Sequence, residues 1–521
     1  MQDQTLIDTL RRQLEARPDA VAYAEGDRRL TYKDVERASN QIANALAAMG
    51  VGQGSRVAAL TKHHLDCMLL LLAACKLGAV CMPVNWRLTV PELEYIVDNG
   101  EASFLLVDAA LAPNAMRARL PRIKTLVCTE QAFEGLPDFE AWYSGFSTGF
   151  TPAKAHTSDA ALQLYSSGTT GLPKGVVLSH EGLLSVAKAI EKDWAFEHHH
   201  VMGNPLPVFH VAGICVLAAT LYTGARTEAY SEFDPAAYLQ SFAAQGITHT
   251  LLVPAMIQFM LQHPGARLAD YQNLRLMAYA GSPISEVVLK EAAEVFRCKL
   301  VQAYGLTEVS GVATFLSSAD HEAGEPGLLR SAGRPVGGAC LRIVDPTSLK
   351  DLPDGEVGEI WIETIRNLKE YWRNPEATAM AFPEGRNANG GWFRSGDGGY
   401  LKNGYLYITD RIKDMVLSGG ENIYPAEVEN VLMRHPDIAD GAVIGVPDTS
   451  WGEAVKACVV LRAGAQSSER EIIDFMRANL AHYKCPKSVD FLDVLPRNPS
   501  GKLLKRILRE PYWQGQTRAI A

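Results

Sequence analysis

The sequence has no CxxC spacing, no surplus of positive charge and no unbroken apolar stretch of membrane length. Its nine cysteines (67, 75, 81, 128, 215, 298, 340, 458 and 485) are odd in number and scattered. A disulfide framework or zinc site is therefore not expected, and a reducing cytoplasm is. Lysine and arginine total 50 against 59 aspartates and glutamates, a net charge of -9. That balance argues against nucleic acid as the main partner, because phosphate-backbone binding normally needs a positive excess. The first twenty residues are polar and carry acids where a signal peptide needs an apolar core, so export is not indicated. The run 67–75 is uncharged but ends after nine residues at Lys76, and the uncharged run 201–225 is interrupted by Pro205, Pro207, His210 and glycines. Both read as buried core and neither as a lipid-facing helix, although peripheral membrane contact stays open. Internal repeats and low-complexity tracts are absent too.

What is present is 521 residues, 47% hydrophobic and 21% charged. That is roughly three times a usual single domain, with the composition of a soluble globular enzyme. Residues 30–50 (LTYKDVERASNQIANALAAMG) space apolar side chains for an amphipathic helix that stops at glycine. Short apolar runs at 57–60, 79–84, 104–107 and 125–128 alternate with helix-like segments, and the rhythm returns at 250–253, 276–280 and 300–303. This predicts α/β architecture around mostly parallel sheets. Beyond Gly333 the runs LRIVD, GEIWIE and GYLYIT, split by proline and glycine turns, predict a small antiparallel β-barrel or sheet. Past Arg411 short strands mix with helices near 425–434 and 468–480.

Residues 165–178 read YSSGTTGLPKGVVL. Ser166, Ser167, Gly168, Thr169, Thr170 and Gly171 pack hydroxyls and bare backbone into one loop, Lys174 follows, and an apolar strand closes it. Such a loop offers many N–H and O–H donors to one anion, the requirement for holding a polyphosphate. It is not a Walker A loop, since Pro173 stands where that motif has glycine and Gly175 where it has serine or threonine.

Together with VFHVAG (208–213), AGSPI (280–284), QAYGLTE (302–308), WFRSGD (392–397), DRIKDMVLSGGENIYPAE (410–427) and PRNPSGK (496–502), this loop resembles the adenylate-forming enzymes. That group comprises acyl- and aryl-CoA synthetases, peptide-synthetase adenylation domains and firefly luciferase, and the motifs follow its order along nearly the whole chain. The resemblance implies a large domain, 1–411, built of two α/β subdomains (about 1–180 and 181–330) and a β-rich unit (331–411). A hinge at 412–415 and a small mobile α+β domain at 416–521 would follow. It also implies the reaction: a carboxylate attacks the α-phosphorus of ATP, pyrophosphate leaves, and a thiol cleaves the acyl-adenylate. An unactivated carboxylate acylates a thiol poorly because oxide is its leaving group, whereas AMP leaves readily.

By the same resemblance, Lys502 reaches the carboxylate and the α-phosphate, and Glu308 holds Mg²⁺, a hard cation that takes oxygen ligands. Thr170 and Thr307 contact phosphate oxygens. Asp397 and Arg411 fix the ribose hydroxyls, a task for a carboxylate acceptor and a forked donor. Tyr304 stacks on adenine, within the segment Ala303 to Gly305, while Gly281, Ser282 and Pro283 shape the base pocket. His210 is the gate between the ATP site and the acyl pocket. Three consecutive histidines, 198–200, read as a surface loop, because neighbours in sequence cannot all face one metal from a regular element.

For the second half-reaction, Gly419 and Gly420 line the thiol tunnel after the small domain turns about Lys413. Trp451, Tyr483, Lys487 and Arg87 resemble contacts for the CoA nucleotide, although Cys485 stands where some relatives carry a base. Amino-acid-activating members hold the substrate ammonium with an acid near 210–216; HVAGICV has none. The expected acyl pocket (Val211, Gly213, Met256, Ala280, Ser310, Gly311, beside His210) is apolar and small-walled, which suits a medium or long fatty acid. An aryl or alicyclic acid would use the same machinery. A loader of carrier-protein phosphopantetheine would share the tunnel without the nucleotide contacts, and a non-catalytic descendant should have lost Lys502 or Glu308. ATP, Mg²⁺ and CoA are the implied cofactor and co-substrates, and a homodimer stays open.

Overall fold

A computed structural model of the protein describes residues 5–129, 133–166, 172–282, 284–411, 414–418, 421–497 and 503–514, leaving aside the side chains at 410, 411, 421 and 422. Two large mixed sheets form the bulk. The nine-stranded sheet has six parallel strands at its centre, in the order Lys299–Tyr304, Leu276–Ala280, His249–Leu252, Val201–Asn204, Arg226–Ala229 and Val21–Glu25. Antiparallel strands close both of its edges. In the seven-stranded sheet, Ala160–Ser166, Val80–Pro83, Arg56–Leu60, Ala102–Val107 and Thr125–Cys128 run parallel. Its other edge is antiparallel: Lys174–Ser179 pairs with Ala160–Ser166, and Glu370–Tyr371 pairs with Lys174–Ser179.

The α/β rhythm expected from the apolar runs is therefore present, with one rearrangement. The strands Val21–Glu25 and Arg28–Thr31 leave their sequence neighbours and join the nine-stranded sheet. The β-rich segment is a four-stranded antiparallel sheet, Cys340–Val344, Gly358–Glu363, Trp392–Lys402 and Tyr405–Arg411 in spatial order. The C-terminal segment forms a five-stranded sheet packed with the helices Pro425–Leu432 and Glu469–Asn479 around its own apolar cluster.

The helix predicted near 30–50 is Tyr32–Ala48, opened by a capping box in which Thr31 and Asp34 exchange side-chain and backbone bonds. The run 67–75 lies in His64–Lys76, a helix buried on every side, as an all-round apolar helix must be. Its last residue is a lysine with no exposure: Lys76 Nζ donates to Glu36 Oε2 (2.8 Å), Ser39 Oγ (2.8 Å) and Asn40 Oδ1 (2.6 Å). Burial lowers its pKa, opposed by Glu36, and the carboxylate supplies the partner a buried cation needs. Among the described residues, no helix is long and apolar enough to cross a membrane.

One expectation is corrected. His198 and His199 are exposed, but His200 is buried, its ring 4.7 Å from that of His249 and 6.2 Å from that of Phe196. The tripeptide turns into the core at its third residue because His200 Nδ1 accepts the Glu197 N–H (2.9 Å).

Burial holds His180 and His200 at a pKa of about 4 and His249 at about 3, all below the ordinary value of 6.5. The folded protein thus prefers their neutral forms, so their contribution to stability is complete above pH 6.5 and is lost as pH falls toward 4. His63, raised to about 9 by Glu25 against the lowering effect of burial, stays charged throughout that window and does not offset the loss. Thermal unfolding followed from pH 7.5 to 4 should show Tm falling once pH drops below about 6.5. A flat Tm down to pH 4.5 would contradict the neutral burial of these rings.

Candidate active site

Parallel strands of both large sheets deliver their carboxyl ends to one region, the usual ligand-binding edge of an α/β sheet. Strand Ala160–Ser166 ends at the glycine- and hydroxyl-rich loop, and its hairpin partner begins at Lys174, opposite Ser166 in register. Strand Lys299–Tyr304 ends at the turn Thr307–Val309, and Leu276–Ala280 ends at Gly281.

Glu308 joins the two sheets. Its Oε1 accepts from Ser166 Oγ (3.0 Å) and from the Tyr371 hydroxyl (3.3 Å), while its backbone carbonyl accepts the Leu368 N–H (2.7 Å). Both side-chain bonds fall on Oε1, and among the described residues none falls on Oε2. Lys174 Nζ stands 5.2 Å from the centre of the Tyr371 ring, bringing a cation to the same place. Burial, then the adjacent Glu308 charge, pushes the Tyr371 phenol far above its usual range, so it stays a donor. A half-buried carboxylate beside a phosphate-type loop is the donor chemistry that suits Mg²⁺. Tyr371 was not foreseen from the sequence; in KEYWRNP it reads as an ordinary strand aromatic.

Tyr304 and Asp397 are brought together, the tyrosine hydroxyl donating to Asp397 Oδ2 (2.8 Å). Asp397 is nearly buried and lies opposite Arg411 in the four-stranded sheet. Ser395 Oγ accepts the Asp397 N–H (3.1 Å) and donates to the Ile360 carbonyl (2.6 Å), which ties the backbone at Asp397 to the neighbouring strand. Ala303 pairs with Ala280 across the sheet. Gly305 is required by close approach, since a Cβ there would stand 2.3 Å from the Gly311 carbonyl oxygen. Thr307 opens its turn half-buried, and Gly281 (φ +89°) and Ser282 remain accessible at the strand end. Residues 167–171 (Ser167, Gly168, Thr169, Thr170, Gly171), Pro283, Lys413, Gly419, Gly420 and Lys502 lie outside the described residues, as does the side chain of Arg411.

His210 caps the helix Val211–Thr223, with its Nε2 buried and unpartnered. Burial, and then the charge of Arg87, lowers its pKa to about 4, so the imidazole is neutral at pH 7. Arg87 lies 4.0 Å over the Trp86 ring and 6.0 Å over Phe209, the residue before His210. Of the expected pocket residues, Val211 and Gly311 face each other: a Cβ on Gly311 would meet Val211 Cγ1 and Cys215 Sγ at 3.3 Å. Met256 and Ala280 are half-buried against the same core.

Two of the small residues are small for other reasons. The side chain of Ser310 is buried and turned away to donate to the Arg366 carbonyl (2.8 Å). Gly213 lets its helix approach the preceding loop, since a Cβ there would stand 2.5 Å from the Pro207 carbonyl oxygen. Packing therefore accounts for the small size of both. Gly311 has φ +98°, so a larger residue there would strain the backbone as well as fill space.

In the C-terminal segment, Trp451 and Tyr483 are each about half exposed, at 53% and 52%. Lys487 Nζ lies 4.9 Å over the Trp451 ring and 3.6 Å from Asp448. Cys485 is buried and donates to the backbone carbonyl of Ala481 (3.4 Å).

A phosphate-type hairpin, a carboxylate that joins the two sheets and a tyrosine–aspartate pair at one sheet edge define an adenylate-forming enzyme. The chain belongs to the AMP-binding enzyme family: it matches the AMP-binding enzyme domain over residues 10–372 and the AMP-binding enzyme C-terminal domain over 427–502. A fatty acid–acyl-carrier-protein ligase of Streptomyces coeruleorubidus, ScoC, is 37% identical, the alignment covering 99% of this chain and 98% of that protein. The long-chain fatty-acid–CoA ligase FadD13 of Mycobacterium tuberculosis is 35% identical over 96% and 97%. Among solved structures, ATP-bound MatB from Rhodopseudomonas palustris aligns with a TM-score of 0.88 at 30% identity, covering 98% of each chain.

Replacing Glu308 by glutamine keeps shape and hydrogen bonding but removes the negative charge. Turnover of Glu308→Gln should fall and its half-saturating Mg²⁺ concentration rise by about tenfold or more, since a charge–metal contact is worth over 1 kcal/mol. Superimposable Mg²⁺ titrations of parent and variant would place the metal elsewhere.

Proposed function

We propose that the protein is an ATP-dependent acid–thiol ligase that converts a medium- or long-chain fatty acid to its acyl-adenylate and passes the acyl group to CoA, releasing AMP and pyrophosphate. The observation that carries this reading is the meeting of Ser166, Lys174 and Tyr371 at Glu308, which follows closely along the chain from Tyr304, itself bonded to Asp397.

In the first step, the substrate carboxylate oxygen bonds to the α-phosphorus while the bond to the pyrophosphate oxygen breaks. The hairpin and Lys174 hold the departing phosphates, and Asp397 accepts the ribose hydroxyls, with Tyr304 against the base. Mg²⁺, held by Glu308, would neutralise phosphate charge. His210, neutral at pH 7, separates this site from the acyl pocket without adding a cation that would compete for the carboxylate. Lys502 is the cation that meets the carboxylate and the α-phosphate. In the second step the thiol sulfur bonds to the acyl carbon, AMP departs with the bonding pair, and the thiol proton passes to solvent. The small domain turns about 412–415 between the steps, withdrawing Lys502 and presenting Gly419 and Gly420, so that one cleft serves two chemistries.

The apolar residues Val211, Met256 and Ala280, with no acid in the stretch 210–216, support an uncharged acyl chain. The exposed Trp451 with Lys487 above it supports a nucleotide-bearing thiol, because an aromatic face and a cation suit adenine and phosphate. Carrier-protein phosphopantetheine is the second reading, favoured by the resemblance to ScoC.

The test is pyrophosphate release and thioester formation over acids from acetate to palmitate, with benzoate, using CoA and a holo carrier protein in parallel. Acyl-CoA from the C8–C16 acids is expected. Ala280→Leu adds bulk without the strain of Gly311 and should cost longer acids about one to two decades in kcat/KM while sparing short ones. Preference for benzoate would overturn the fatty-acyl reading, and acylation of carrier protein alone would replace CoA by the second reading.

A further inference from the structure

The segment 205–210 leaves strand Val201–Asn204 and ends at His210. Its second residue, Leu206, is buried, and side chains hold its backbone at both ends. The Leu206 N–H donates to Asn204 Oδ1 (3.3 Å), and Asn204 Nδ2 donates onward to the Gly213 carbonyl (3.1 Å). The Leu206 carbonyl lies 2.7 Å from His64 Nε2. A carbonyl only accepts, so Nε2 carries the proton. From Leu206 the chain makes one turn, closed by the His210 N–H donating to the Pro207 carbonyl (3.1 Å), and His210 follows.

His64 is itself oriented. It begins the helix His64–Lys76, reached from the seven-stranded sheet, and its Nδ1 faces Glu25 Oε1 at 3.4 Å; an ionised carboxylate also only accepts, so the ring donates from both nitrogens. Glu25 comes from the nine-stranded sheet and also accepts the backbone N–H groups of His64 (3.1 Å) and Leu65 (3.3 Å). His63 Nδ1 approaches the second oxygen at 3.7 Å. Burial alone would raise the Glu25 pKa; His63 and His64 outweigh it and keep the group ionised. A buried carboxylate at a helix N-terminus is electrostatically favoured, so the imidazole rests on a fixed support.

We propose that His64, oriented by Glu25, is a positioning residue for acid activation: it holds the Leu206 carbonyl and thereby the turn that presents His210 to the substrate carboxylate. The inference rests on the reading of His210 as the gate to the acyl pocket. The effect of His64 passes through one backbone carbonyl.

Its test is a double-mutant cycle on the full-length enzyme, read as KM for the best acid of the series above and KM for ATP in pyrophosphate release. Thermal melts establish that each variant is folded. His64→Phe keeps a ring of similar size without the donor. It should raise acid KM about tenfold, on the scale of one lost buried hydrogen bond, and leave ATP KM within about twofold. His64→Gln, which restores an N–H donor, should recover most of the loss. Combined with His210→Ala, His64→Phe should add nothing further to acid KM, because both act through one side chain. Glu25→Gln, which keeps an acceptor for the helix N–H groups, carries the same cycle where the phenylalanine variant does not fold. Additive effects, no recovery in His64→Gln, or parent-like His64→Phe beside an impaired His210→Ala would each overturn the positioning role alone. A parent-like His210→Ala would overturn the gate reading, and this inference with it.

Discussion

The Glu308 carboxylate is where separate parts of the chain must agree. Ser166 arrives from one sheet, Glu308 from the other, and Tyr371 from a two-residue edge strand more than sixty positions later, yet their polar atoms meet at one oxygen. None of the three is close in sequence to another, so the bond set exists only when both sheets and their edge are assembled. Two hydroxyl donors meet on Oε1, and the hairpin that begins at Lys174 brings a cation to the same tyrosine ring. Donors fixed before substrate arrives need little reorganisation during the reaction, which is the main way such sites stabilise transferring phosphates.

Close backbone approach is the second constraint. Gly305 against the Gly311 carbonyl, and Gly213 against Pro207, bring segments nearer than any side chain permits. The walls around His210 are consequently backbone and buried hydrogen bonds as much as apolar side chains. A neutral His210 and an ionised Glu25 are both products of burial and neighbours: the first loses its proton because water is excluded, the second keeps its charge because two histidines and two helix N–H groups face it.

The alternation of strands and helices was legible because each element carries its own period, and the helix Tyr32–Ala48 also announced its start through Thr31 and Asp34. Which sheet the first strands join was not legible, since Val21–Glu25 pairs with Arg226–Ala229 some two hundred residues away and local pattern says nothing of that partner. The cleft residues in motifs were legible one at a time. Tyr371 was missed because its hydroxyl matters only once Glu308 is beside it, and His64 because its value lies in a carbonyl of another segment. Ser310 and Gly213 have reasons to be small that the sequence does not display: a small residue leaves room equally for a substrate, a hydrogen bond or another backbone, and the bond to the Arg366 carbonyl and the approach to Pro207 exist only in the fold. His200 likewise turned inward on a bond to Glu197 that three consecutive histidines do not advertise.

In the function proposed, an acid is activated by adenylation before any thiol takes part. Exchange of labelled pyrophosphate into ATP tests that most directly, because it reports reversible formation of an acyl-adenylate in the absence of acceptor. The account predicts exchange that requires a fatty acid and Mg²⁺, proceeds without CoA, and declines when CoA drains the intermediate. Exchange that appears only after a thiol is added, or that proceeds equally without any carboxylic acid, would contradict it.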